Sequence, residues 1–184
     1  MTCIVAIIKD GNIYMGADSA ATDDGGTIQR RKDAKIFKNG NFIIGCCGSL
    51  RMAELLRFSF TPPRQTIKDV YRYMCTIFIN AVRKCLIHGG LTKIHSNVEE
   101  IEDSSFIVGY RGRIFIIDED FQVGELHHHY ASIGSGEDIA YGSLFTSSDL
   151  ESPEERIMFA LCAAEEFNNS VRKPFILEVL EGEK

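Results

Sequence analysis

The sequence predicts an α+β fold in four layers, an α-β-β-α sandwich. Three observations lead there. Apolar runs short enough for strands cluster at both ends of the chain, as in Cys3-Ile4-Val5-Ala6-Ile7-Ile8 and Phe175-Ile176-Leu177-Glu178-Val179-Leu180. Segments with apolar residues at helical spacing sit between and after them, two in the middle and two towards the end. Two pairs of helices with one apolar face each need a sheet face each, so two sheets back to back between helix layers is the natural packing. The chain has 184 residues, a length that suits one domain spanning 1–184 with a sizeable core. There is no repeat and no linker.

The elements follow in order. Strands are predicted at 3–8 and 12–17, joined by the turn Lys9-Asp10-Gly11-Asn12, with Gly at a position of positive φ. Further strands are predicted at 34–37 and 41–47, around the turn Lys38-Asn39-Gly40-Asn41. A helix starts at Ser49, a good N-cap, and covers Met52 to Phe58 before Pro62-Pro63 breaks the chain. A second helix, about 66–87, carries Ile67, Val70, Met74, Ile77, Phe78, Ala81, Val82 and Cys85 at spacings of three and four. Gly89-Gly90 ends it, and the polar, acidic stretch 91–102 reads as a loop. Strands are then expected near 105–108, 113–117, 121–123 and 130–133. A helix follows Ser135. Another runs from Ser152, an N-cap before Pro153 at the first helical position, to about Phe167. The strand 175–180 is the last.

Composition excludes several function classes. Hydrophobic residues make 45% and charged residues 25%, ordinary for a soluble globular protein. A formal net charge of -6 argues against a general nucleic-acid binder. The basic cluster Arg30-Arg31-Lys32, beside Asp23, Asp24 and Asp33, reads as a solvated loop. No transmembrane stretch or signal peptide is seen, since the first apolar run is only Ile4 to Ile8 with Lys9 after it. The expected partners therefore include neither nucleic acid nor membrane. The six cysteines show no Cys-x-x-Cys pairing, and most lie in apolar segments, which fits a reducing cytoplasmic setting. His127-His128-His129 is a poor metal site, because consecutive strand residues point to opposite faces. No metal and no cofactor is expected.

The chemistry begins at Met1-Thr2. Removing Met1 leaves Thr2 with a hydroxyl nucleophile and a free α-amine to activate it. That amine has a pKa of roughly 8, so part of it is neutral near pH 7. Downstream come Gly16-Ala17-Asp18-Ser19-Ala20-Ala21-Thr22, then Lys35, then Cys47-Gly48-Ser49, then Ile133-Gly134-Ser135-Gly136. In this order the segments resemble the proteasome β-subunit family and its bacterial two-ring relative, members of the N-terminal nucleophile hydrolase superfamily. The matched motifs run from Thr2 to about Ser135.

The resemblance implies the N-terminal nucleophile hydrolase fold and a threonine-type peptidase. Thr2 would be the nucleophile. Lys35 would lower the pKa of the Thr2 amine by placing a second cation close to it. Asp18 would hold Lys35 as an ion pair. The Gly48 N–H would donate to an oxyanion, and Ser135 would lie near the Thr2 amine. The family's late Asp and Ser are only half matched: Ser170 fits the Ser, whereas Asn168, Asn169 or Glu166 would stand in for the Asp. The Arg of many proteasome subunits is Ala20 here, as the bacterial relative also lacks it. A substrate pocket would be lined by Ala21, Asp33, Cys46, Ser49 and Ala53, with Asp33 favouring a basic or neutral substrate side chain. Partners would be peptides or unfolded proteins, copies of the same chain in a closed homo-oligomeric ring, and an AAA+ ATPase unfoldase. The helix at 66–87, with Tyr71, Met74, Ile77 and Phe78, is expected to contribute to subunit contacts. With no pro-domain or long lid expected, enclosure in a ring would keep such a site from other proteins.

Two alternatives stay open. One is a small-amide hydrolase of the same superfamily, including a variant with Cys3 as nucleophile after removal of Thr2. The other is a catalytically inactive, ring-forming homologue; retention of Met1 would mean either that or an unprocessed precursor.

Overall fold

The computed structural model describes residues 2–22, 27–101 and 103–182. The chain runs through β1 (Ile4–Lys9), β2 (Asn12–Ala17), β3 (Ala20–Thr22), β4 (Ile28–Arg30), β5 (Ile36–Asn39) and β6 (Phe42–Cys47). Helix α1 (Leu50–Glu54) passes directly into a π-helical turn over Leu55–Ser59. Helix α2 (Val70–Tyr73) continues through a second π turn, Met74–Phe78, into α3 (Ile79–His88). Next come β7 (Lys93–His95), β8 (Val98–Glu100), β9 (Ser105–Tyr110), β10 (Arg113–Ile117), β11 (Val123–Glu125) and β12 (Tyr130–Ile133). Helices α4 (Glu137–Thr146) and α5 (Pro153–Phe167) precede β13 (Ile176–Leu180).

Two sheets carry the fold. One has the order β12-β1-β2-β13 and the other β11-β10-β9-β6-β5, with antiparallel neighbours throughout. Strand β1 explains why its sequence is apolar at nearly every position. Ile4 and Ala6, with Ile13 and Met15 of the neighbouring β2, face the opposite sheet, where they meet Ile43 and Ile107. Val5 and Ile7 face the other way, onto Ala140, Ile157, Leu161 and Ala164 of α4 and α5. A strand buried on both faces loses the polar alternation of a half-exposed one. Strand β6 does the same, with Phe42, Ile44 and Cys46 packing under α1–α3 and Ile43 between the sheets. The layer order is therefore helix, sheet, sheet, helix, as the sequence predicts.

Local signals place the helices. Ser49 accepts the Met52 N–H at 3.3 Å, and Ser152 accepts the Glu155 N–H at 3.2 Å ahead of Pro153. The second helix begins at Val70 rather than Thr66, because Asp69 is its N-cap and accepts the Arg72 N–H at 3.1 Å.

Several expectations are corrected. The stretch 91–102 is not a plain loop: β7 and β8 form a hairpin there, with Ser96 and Asn97 at φ 50° and 67°. A second hairpin, β3–β4, was not anticipated. The strand expected at 121–123 lies at Val123–Glu125, and Lys35 sits just before β5 rather than on it. Met74 and Phe78 are fully buried in the core under the helices, which removes them from any subunit contact, whereas Tyr71 is exposed. Asp23, Asp24 and Met1 lie outside the described residues, so the acidic part of the expected basic-acidic loop does too. No helix of the described residues is long and apolar enough to cross a membrane.

Candidate active site

The approach to β1, the end of β2 and the approach to β5 converge on one carboxylate. Asp18 follows β2 and is buried. Its Oδ1 accepts the Lys35 ammonium at 2.7 Å and the Cys3 N–H at 3.0 Å. Its Oδ2 accepts the N–H groups of Ala20 at 3.0 Å and Arg172 at 3.3 Å. Lys35 is itself buried, its side chain 6% exposed. A buried ion pair is tolerated only when further hydrogen bonds satisfy the carboxylate, and here three backbone donors do so. Asp18 thus ties Lys35 to the residue next to Thr2.

Thr2 is held from the opposite side by the turn after β12. Its N lies 3.2 Å from Ser135 Oγ, and its carbonyl accepts the Ser135 hydroxyl at 3.3 Å and the Gly136 N–H at 3.2 Å. Gly134 makes this approach possible. At φ 100° a Cβ there would sit 2.3 Å from the Thr2 carbonyl oxygen. The Gly134 N–H donates to Glu137 Oε2 at 3.0 Å, which closes the turn onto α4. Burial pushes the Glu137 carboxyl above its ordinary value, and that bond partly offsets it.

The segment after α5 joins the same cluster. Asn168 Nδ2 donates to the Ser135 carbonyl at 2.6 Å, and Asn168 Oδ1 accepts the Ser170 N–H at 2.9 Å. The Ser170 hydroxyl donates to Asn169 Oδ1 at 3.0 Å. Of the three residues considered for the late Asp, Asn168 is the one that bridges Ser135 and Ser170. Glu166 is exposed and faces a groove between α4 and α5 instead.

A cavity of 290 Å³ opens beside Thr2, and Lys35 and Gly48 also line it. Asp33, Cys46, Ser49 and Ala53, all expected in a substrate pocket, line it as well. Ala21 does not: it sits on β3 opposite Gln29. Arg31, Arg57 and Phe58 complete walls that the sequence did not point to. A larger groove of 660 Å³ lies between the turns at Gly11 and Gly112, and no expected site residue lines it.

The electrostatics of this cavity differ from the expectation. Arg31 Nε lies 2.9 and 2.8 Å from the two Asp33 oxygens. Burial raises the Asp33 pKa, but the Arg31 hydrogen bond, a backbone N–H and the charges of Arg31 and Arg57 outweigh it and hold the carboxyl below its usual value. Asp33 is thus a neutralised anion rather than a free acceptor for a basic side chain. Cys46 is fully enclosed, and burial pushes its thiol far up. Cys3 is wholly buried against α5, and burial drives its thiol to about 12. A nucleophilic cysteine needs its thiolate, so Cys3 is a core residue in this fold.

Comparison with solved structures agrees with the layer order. Thiobacillus denitrificans BPH, solved in complex with epoxomicin, superimposes with a TM-score of 0.81 at 21% identity, covering 100% of both chains. HslV from Trypanosoma brucei gives 0.70 at 19% identity, over 98% of this chain and 99% of that one. The Gly-1 mutant of Anbu from Hyphomicrobium sp. strain MC1 gives 0.67 at 17% identity, over 96% of this chain and 80% of that one. The chain has the proteasome-like N-terminal nucleophile fold. No protein-family model matches the chain, and no curated protein does.

Within the proteasome-like fold, Thr2, Asp18, Lys35, Gly48, Ser135 and Ser170 come from six separate segments. Asp18 binds Lys35, Ser135 binds Thr2, Asn168 links Ser135 to Ser170, and Gly48 shares the cavity wall with Thr2 and Lys35. Asn168 is one of the three residues the sequence offered for the late Asp, whereas Arg172 was missed by sequence reasoning. Arg172 acts through its backbone N–H, which no side-chain pattern reveals.

Proposed function

We propose that the protein is a threonine-type peptidase whose nucleophile is the Thr2 hydroxyl, exposed by removal of Met1. The observation that carries this reading is the buried Lys35–Asp18 pair beside the cavity that Thr2 lines. The freed Thr2 amine takes the hydroxyl proton, the oxygen attacks the scissile carbonyl, and the tetrahedral adduct collapses to an acyl-enzyme as its C–N bond breaks and the ammonium passes the proton to the leaving amine. Lys35 keeps that amine from holding a second positive charge. The Gly48 N–H donates to the developing oxyanion. Ser135 holds the amine, and the Asn168–Ser170 turn fixes Ser135. Water then releases the acyl group, with the amine again serving as base.

The epoxomicin complex of the structural neighbour supplies the test. A peptide epoxyketone is expected to label the processed chain on its N-terminal residue, with intact mass showing loss of Met1. Thr2→Ala abolishes labelling. Labelling that survives the substitution removes Thr2 from the mechanism.

The reading extends to a closed ring of identical chains in the cytoplasm that admits peptides or unfolded proteins, with an AAA+ ATPase unfoldase as partner. Helices α4 and α5 support it with an outward apolar face: Phe145, Phe159 and Phe167 are 71%, 55% and 78% exposed. A face of that kind on a folded chain marks an interaction surface. Light scattering is expected to give a particle many times the chain mass of 20.6 kDa, and Phe159→Asp with Phe167→Asp is expected to dissociate it. A fully active monomer at micromolar concentration would favour the small-amide hydrolase.

A further inference from the structure

We infer that Arg57 is a specificity-determining residue and that the cavity beside Thr2 selects an acidic side chain on the substrate. This rests on the peptidase reading above. The charged groups lining the cavity are Arg31, Lys35 and Arg57 against Asp33 and Glu54. Four of the five are already paired. Arg31 holds Asp33, Lys35 is taken by Asp18 outside the cavity, and the exposed Glu54 accepts from Arg51 at 3.1 Å. Arg57 is left as the cation with no carboxylate paired to it among the described residues; Asp33, whose carboxyl its charge helps hold down, is already bound by Arg31.

The local backbone explains how Arg57 comes to be there. The π turn at Leu55–Ser59, closed by the Phe60 N–H on the Leu55 carbonyl at 2.9 Å, widens the helix while Leu55 and Leu56 stay in the core. Such turns recur at functional sites because they re-aim one side chain within a helix. The Arg57 guanidinium carbon lies 4.5 Å above the Phe37 ring, which fixes its plane. Its Nη2 donates to the carbonyls of Ala34 and Ile36. Its Nε is buried without a hydrogen-bond partner. A half-buried guanidinium held this way and incompletely satisfied favours a ligand that brings negative charge. A carboxylate on the residue preceding the scissile bond would meet it in the cavity that Thr2 shares.

Arg57 also clamps the two carbonyls flanking Lys35, so a purely positioning role must be separated from a recognition role. The measurement is kcat/KM for two fluorogenic peptides differing only in Glu or Leu before the cleaved bond. The wild-type protein is expected to prefer Glu. Arg57→Lys keeps the charge and is expected to keep the preference. Arg57→Gln is expected to lower the Glu/Leu ratio by at least about tenfold, the range of one charge-assisted hydrogen bond. A wild-type preference for Leu, or an equal loss on both peptides in Arg57→Gln, overturns the inference.

Epoxyketone labelling of Thr2 in the same preparations reads the peptidase proposal separately. Labelling without acid preference sinks only the role of Arg57. If neither labelling nor hydrolysis occurs, calorimetric binding of the two peptides reads the pocket alone. Tighter binding of the Glu peptide, lost in Arg57→Gln, supports the inference, and equal binding overturns it.

Discussion

Lys35→Ala is expected to cut peptide hydrolysis by about 10²–10⁴-fold, the range of positioned acid–base assistance. The argument starts from burial. Lys35 reaches Asp18 at 2.7 Å with its side chain almost wholly enclosed, so the ammonium is held at the cavity that Thr2 lines, where the peptidase proposal has it act on the Thr2 amine. Removing it also leaves the Asp18 carboxylate without a cation. Breaking a buried pair commonly costs about 3–5 kcal/mol. The three N–H groups of Cys3, Ala20 and Arg172 remain on Asp18, so the loss of stability should fall below that range. Lys35→Arg is not expected to rescue turnover, because the planar fork is larger than the ammonium and cannot occupy the same slot. Initial rates with a fluorogenic peptide, together with a thermal melt of each variant, separate chemistry from folding. Near-normal hydrolysis by a folded Lys35→Ala protein would remove Lys35 from the mechanism.

The sequence was most legible where burial is periodic or a turn is forced. Strand β1 is apolar on both faces because α5 covers one and the second sheet covers the other. Its turn is marked by Gly11, and that of β5–β6 by Gly40, at φ 77° and 58°. The hairpins β3–β4 and β7–β8 were invisible for the opposite reason. Strands β4 and β7 are exposed throughout, so no face imposes an apolar alternation on Ile28-Gln29-Arg30 or Lys93-Ile94-His95. The π turns leave no mark in composition, since shifting a hydrogen bond by one residue changes no side chain.

In the site, chemistry-bearing residues could be named from their order, but their surroundings could not. Asp33 reads as an anion at a pocket rim until Arg31, two residues away, is seen to fold back onto it. Arg57 lies among helical residues with no periodic reason to enter a cavity. Asn168 links Ser135 and Ser170 across 33 residues of sequence, a contact that only the packing of α5 against β1 creates.

Gly48→Ala is expected to destabilise the fold and to disable the site together. Gly48 sits at φ 91°, a conformation L residues rarely adopt. A Cβ there would lie 2.3 Å from the Asp103 carbonyl oxygen and 2.8 Å from Ser104 Cα, both backbone atoms that cannot swing aside. It would also lie 2.6 Å from Ser104 Oγ, which accepts the Ser49 N–H at 3.0 Å. Relief therefore requires the start of β9 to move off β6, where Cys47 pairs with Ser105, and the N-cap of α1 moves with it. Backbone strain of about 1–3 kcal/mol and overpacking of about 1–3 kcal/mol add to roughly 2–6 kcal/mol. That is a large share of a typical total of about 5–15 kcal/mol. Gly40→Ala is the control, because Gly40 has positive φ but nothing within 4 Å of a Cβ; it should show the strain alone, about 1–2 kcal/mol. Urea melts of the two variants read the difference. In Gly48→Ala that remains folded, a displaced N–H should slow epoxyketone labelling of Thr2. Equal midpoints for the two variants, with labelling at the wild-type rate, would mean that the Gly48 turn neither bears on stability nor supplies the oxyanion donor.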